Sequence, residues 1–149
     1  GAQAGLSWLT ILARRDTYRA AYDNFDVHKI AKYDEAKQQT LLADPGIIRN
    51  RAKVAASILN ANAFIEIQKE FGSFDAYIWD FIGGKPIINH WKAMSDVPVS
   101  TELSDALSKD LKKRGMKFVG TTIIYSFMQA TGLVMDHTTD CHCYPALSA

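Results

Sequence analysis

Between Leu111 and Thr122 the chain reads Leu-Lys-Lys-Arg-Gly-Met-Lys-Phe-Val-Gly-Thr-Thr, and no other stretch narrows its fold so far. Leu103, Leu107 and Leu111 share one helical face that stops at Gly115, the residue best suited to a left-handed helix end. Gly120 closes the connection. Thr121 and Thr122 are candidate caps of a second helix on which Phe127, Ala130 and Val134 recur. Two helices joined this tightly make a helix-hairpin-helix over about 103–134. Its connection can turn backbone N–H groups outward beside the positive end of the second helix, where a phosphate fits.

The rest of the chain also reads as helix. A helix is expected over Ala4 to Arg14, a second over Thr17 to Tyr22 behind Asp16, and a turn over Asn24 to Val27. Asp26 opens a short helix bearing Ile30 and Tyr33, and Asp34 caps the segment holding Leu41 and Leu42. Asp44-Pro45-Gly46 breaks the chain; from Arg51 on, Val54, Ile58, Ala61 and Ile65 fall at helical spacing and predict a helix of about 18 residues ending at Phe71. An aromatic helix with Phe74, Tyr77, Ile78 and Phe81 follows Gly72-Ser73, and Gly83 to Pro86 is a loop. No β-hairpin or βαβ spacing emerges, so the class is all-α, one domain over 1–149, long enough to bury a core. No run of 18 apolar residues and no signal peptide are present, which predicts a cytoplasmic, monomeric protein without a membrane span.

A formal net charge of +1 gives little global attraction for nucleic acid, so any such surface must be local. Positive clusters stand at Arg14-Arg15, Arg49 to Lys53 and Lys109 to Lys117, solvated helix ends being the plainer reading of each. The second cluster places Arg49, Arg51 and Lys53 where a helix begins, which the macrodipole disfavours. A bound phosphate or a partner carboxylate would relieve that conflict, since Glu66 and Glu70 lie too far along the helix.

Near the end, His137 and Cys141 stand four residues apart, and His142 and Cys143 follow. Imidazole and thiolate are zinc ligands, but structural sites usually take four, so this tail would need ligands from elsewhere; free thiols are the alternative. A disulfide across one intervening residue is strained. Trp8, beside Gly5 and Leu6, could form the wall of a pocket while Leu6 wedges into a base stack; a core role is the competing reading.

Four separated stretches now resemble one family. They are Gln3-Ala4-Gly5-Leu6-Ser7-Trp8, Gly46 to Lys53, Lys117-Phe118-Val119-Gly120-Thr121-Thr122 and Tyr125 to Ala130, with His137, Cys141 and Tyr144-Pro145 behind them. In this order they are similar to bacterial DNA-3-methyladenine glycosylase I. The resemblance implies a helix-hairpin-helix glycosylase that hydrolyses the N-glycosidic bond of 3-methyladenine in double-stranded DNA and leaves an abasic site. It implies Trp8 in the base pocket, Gly5 and Leu6 as the wedge, and Arg49, Arg51, Lys53, Lys117, Phe118, Val119, Gly120 and Thr121 on the DNA backbone. It also implies a structural zinc held by His137, Cys141 and two ligands from an N-terminal segment.

The resemblance further implies roughly 35 to 40 residues ahead of the Gly1 position, among them a pocket Tyr, those two ligands and a Glu that contacts the methylated base. No catalytic residue is therefore assigned within 1–149, and a chain beginning at Gly1 is expected to close no zinc site and excise little base. Two other readings stand beside this one. One is a non-catalytic helix-hairpin-helix domain that binds DNA backbone; the other is an interaction domain with solvated basic turns.

Overall fold

Polar caps set most helix starts. In the computed structural model, which describes residues 1–144, the elements run α1 (Trp8–Leu12), α2 (Arg15–Ala21), α3 (Val27–Ile30), α4 (Glu35–Ala43), α5 (Arg51–Phe71), α6 (Phe74–Phe81), β1 (Ile87–Ile88), α7 (Glu102–Lys113), α8 (Thr121–Ala130) and β2 (Val134–Met135). Side chains of Ser7, Asp26, Asp34, Asn50, Ser73 and Thr101 each accept an N–H from the first turn behind them. Each such bond is worth about 1 kcal/mol. Among the described residues no helix is long and apolar enough to cross a membrane. Pro145, part of the motif at the C-terminal end, lies outside the described residues.

Two buried clusters share α5 as a common spine. Val54 and Ala61 pack with Tyr22, Ile30, Leu41 and Ile47 from the preceding elements. On the opposite face of the helix, Ala63 and Ile67 pack with Tyr77, Leu107, Ile124 and Met128 from α6, α7 and α8. An apolar groove of about 490 Å³ opens where the clusters meet, with Gly1, Ala2, Lys53 and Phe118 on its wall.

Several expectations are corrected. The helix expected from Ala4 starts only at Trp8, because Gly5 takes φ +73° and residues 1–6 form turns, with Ala4 N donating to Gly1 O and Leu6 N to Gln3 O. Asp16 does not cap α2: the helix begins at Arg15, and the Asp16 carboxylate sits in its first turn, where the macrodipole favours it. The turn expected over Asn24 to Val27 falls one residue earlier, as a 3-10 turn over Asp23–Phe25 with φ of +49°, +58° and +58°. Asp23 is anchored there by the Tyr33 hydroxyl at 2.6 Å and Lys37 at 3.2 Å. Gly120, not Thr121 or Thr122, is the N-cap residue of α8. The long helix α5 has 21 residues, its start fixed by Asn50. Finally, the class is all-α, but β1 and β2 pair in parallel, Ile87 opposite Val134 and Ile88 opposite Met135. Two-residue strands are too short to leave an alternating pattern in sequence.

Candidate functional site

The hairpin is built by two identical helix endings and one side-chain clamp. At the end of α7, Gly115 takes φ +97°, Met116 N donates to Leu111 O and Gly115 N to Lys112 O, the two bonds of a Schellman motif. Gly132 ends α8 in the same way, with Leu133 N on Met128 O and Gly132 N on Gln129 O. In the connection itself, Asn60 of α5 grips both backbone groups of Lys117: its Oδ1 accepts the Lys117 N–H at 2.8 Å and its Nδ2 donates to the Lys117 carbonyl at 3.0 Å. Ser108 donates to the Val119 carbonyl at 2.6 Å, and the Val119 side chain is buried. Thr121 shares its hydroxyl with Ser104 at 2.7 Å. Phe118, Val119 and Gly120 have amide N–H groups that meet no acceptor among the described residues, next to the positive end of the ten-residue α8. The Lys117 N–H is already committed to Asn60, so the uncommitted donors begin one residue later than the sequence motif.

Lys53 behaves differently from its neighbours. Arg49 and Arg51 are exposed at the start of α5. The Lys53 ammonium instead donates to the carbonyls of Ala2 at 2.9 Å and Ala4 at 2.6 Å, and lies 5.9 Å from the centre of the Phe118 ring. Removal from water lowers its pKa from the ordinary lysine value.

The turn that Lys53 holds leads into a second cavity. A cleft of about 640 Å³ is walled by Gln3, Trp8, Ser126, Gln129, Met135 and Asp136, room enough for a purine. Trp8 is 52% exposed, so the core reading of this residue is excluded. Asp136 follows β2 directly and gathers four donors: Asn89 at 2.8 Å and Trp91 at 2.7 Å on Oδ1, Tyr125 at 2.6 Å and Gln129 at 2.8 Å on Oδ2. Burial pushes its pKa up, but the bonds from Tyr125, Trp91, Gln129 and Asn89 together hold it below the usual carboxylate range. The Tyr125 hydroxyl is raised, first by burial and then by this carboxylate. Sequence reading missed these partners and Asn60, because each pair spans 7 to 57 residues and leaves no local spacing signal.

Beyond Asp136 the chain turns back on itself, with Cys141 N on Thr138 O and Tyr144 N on Cys141 O. This brings the Cys141 sulfur to 3.4 Å from His137 Nδ1 and places Cys143 in the same group, all donor atoms within 4.8 Å. His142 points its ring to the Cys143 sulfur at 3.3 Å. Both cysteines are free thiols. His90 hydrogen-bonds the Tyr144 hydroxyl.

A family profile described as methyladenine glycosylase matches residues 1–144. The chain belongs to the methyladenine glycosylase family. It is 50% identical over 145 residues to DNA-3-methyladenine glycosylase 1 of Escherichia coli (strain K12), covering 97% of this chain and 78% of that protein. With the DNA-3-methyladenine glycosylase of Haemophilus influenzae it shares 47% over 143 residues, 96% of this chain and 77% of the relative. A crystal structure of a 3-methyladenine DNA glycosylase I superposes with a TM-score of 0.93 at 50% identity, over 97% of this chain and 79% of that one.

Proposed function

We propose that this protein hydrolyses the N-glycosidic bond of 3-methyladenine in double-stranded DNA, releasing the base and leaving an abasic site. The observation that carries this reading is the pairing of a hairpin with uncommitted amides and a purine-sized cleft whose wall includes an exposed tryptophan. A stacked base is out of reach, so the nucleotide is extruded at a cost of a few kcal/mol. The N–H groups of Phe118, Val119, Gly120 and Thr121 grip one strand, with Arg49, Arg51 and the Lys117 side chain on neighbouring phosphates. Leu6, 37% exposed beside Gly5, fills the vacated stack.

Methylation at N3 makes the adenine cationic, which weakens its bond to deoxyribose before any protein group acts. The ring of Trp8 stacks on that cation for about 1–2 kcal/mol. Asp136 is not the base that activates water: both its oxygens already accept two hydrogen bonds, and no lone pair faces outward. Its fixed negative charge in the cleft wall favours a cationic base over neutral adenine.

The donor set at the tail suits zinc. Zinc–sulfur and zinc–nitrogen bonds of about 2.3 and 2.0 Å at a tetrahedral angle would put the two ligand atoms about 3.5 Å apart, close to the 3.4 Å between Cys141 and His137. There the metal would serve as a structural tie, its coordination completed by Cys143 or by ligands outside 1–144.

The test is incubation of N3-methylated duplex with the 149-residue chain and with the same chain preceded by the family's N-terminal segment. Free 3-methyladenine released by either form supports glycosylase action. Salt-dependent duplex binding with no release from either form sinks it and leaves the backbone-binding reading.

A further inference from the structure

The sequence poses a conflict at Lys53, a cation in the first turn of a helix, and the structure resolves it within the protein. Two of its three ammonium protons go to Ala2 and Ala4 carbonyls, on the turn that continues into Gly5, Leu6 and Trp8. Its charge also lies over the Phe118 ring. Phe118 occupies the left-handed region at φ +56°, a conformation that costs a bulky residue about 1–2 kcal/mol. In that conformation its side chain meets Gly1 as well: a Cβ on Gly1 would stand 3.5 Å from the Phe118 Cβ. The turn before α1, the start of α5 and the hairpin therefore converge on one ammonium group.

We propose that Lys53 is a positioning residue that fastens the Gly5–Leu6 wedge and the Trp8 wall to the phosphate-gripping hairpin, rather than a phosphate contact. With Lys53 in place, the strand held at Phe118 to Thr121 and the base received at Trp8 keep a fixed offset. Without it, the hydrogen bonds left to residues 1–6 among the described residues are the two internal turn bonds. The assignment rests on the glycosylase reading for its consequence in catalysis, but not for the contact itself.

Lys53→Met keeps the aliphatic stem over Phe118 and removes the ammonium. Three measurements separate the roles. In the absence of DNA, amide exchange at Ala4 and Leu6 is expected to rise about tenfold as the turn loosens. The slope of log affinity against log salt on undamaged duplex is expected to match the wild type, because no phosphate contact is lost. Single-turnover release of 3-methyladenine at saturating protein is expected to fall about tenfold, with part of the rate restored by Lys53→Arg. A salt slope reduced by about 1, with wild-type exchange and release, would overturn the proposal and return Lys53 to the phosphates. So would unchanged exchange with unchanged release. If the wild type releases no base, the glycosylase reading fails, while exchange and salt slope still decide Lys53. Should Lys53→Met lose its helical circular dichroism, Lys53→Arg and Lys53→Gln carry the same three measurements.

Discussion

At the scale of single residues, the cleft depends on Asp136 being charged and fully bonded. Asp136→Asn replaces one oxygen by an NH2 group that faces donors, so at least one of the Tyr125, Gln129, Asn89 or Trp91 bonds turns into a donor–donor contact. The expected loss is about 1–3 kcal/mol of stability, discounted toward the lower end because the group is only half-buried, read by urea denaturation. Sequence spacing made visible what is local: the caps Asp26 and Asp34, the helix-ending Gly115, and the His137–Cys141 pair one turn apart. It could not show Asp136 as a four-donor centre, since its partners come from the β1 loop and α8. Nor could it place Lys53, whose cluster with Arg49 and Arg51 looks like one patch until the fold separates the ammonium from the guanidinium groups.

Elements, rather than residues, make the hairpin rigid. Its two helices end in the same Schellman geometry, but nothing in that geometry fixes the connection between Gly115 and Gly120; Asn60 of α5 does so from outside. Asn60→Ala is expected to cost about 1–2 kcal/mol through two lost hydrogen bonds to Lys117, measured by thermal melting. It should weaken binding to methylated and unmethylated duplex by the same factor, since the grip and not the cleft is disturbed; a loss confined to methylated duplex would contradict this role. The helix pattern of α5, α6, α7 and α8 was legible because each buries a face at helical spacing. The short parallel pair β1 and β2 was not, since it is held by Ile87 N on Leu133 O and Asn89 N on Met135 O and by little else. The first helix was overextended because Ala4 and Leu6 fit a helical face as well as a turn, and the positive φ of Gly5, the internal turn bonds and the carbonyl bonds to Lys53 decide for the turn.

For the whole molecule, a linked network of charge ties lies at the C-terminal end of the spine. Arg114 joins α7 to α5 through Glu70 at 2.6 Å, pairs with Asp110 at 2.7 Å, and covers the rings of Phe71 and Tyr77. Tyr77 donates to the same Asp110 carboxylate at 2.7 Å. Burial opposes ionisation of Asp110, but the bonds from Arg114 and Tyr77 prevail and lower its pKa; Glu70 is lowered chiefly by Arg114. A carboxylate whose folded pKa is depressed contributes stability that is fully present above the unfolded value of about 4 and lost as pH falls through the folded value. The melting temperature should therefore be flat near neutrality and decline below about pH 4, and Asp110→Asn should flatten that decline; an unchanged acid profile in the variant would contradict it. At this scale the class and the hairpin were readable from sequence, whereas the division into two clusters along α5 was not, because Val54 and Ala61 face one cluster and Ala63 and Ile67, roughly half a turn around the axis, face the other, a two-sided burial that blurs the single-face pattern. Lys53 and Asn60 sit seven residues apart on that helix, two turns and roughly 10.5 Å along the axis, one holding the turn before Trp8 and the other the hairpin. The segment between them is accordingly a ruler. Outward positions such as Ala55 and Leu59 are free to vary in kind, but the count of residues is not. A single insertion would swing one anchor about 100° around the axis relative to the other, so length, more than identity, is what evolution must keep constant there.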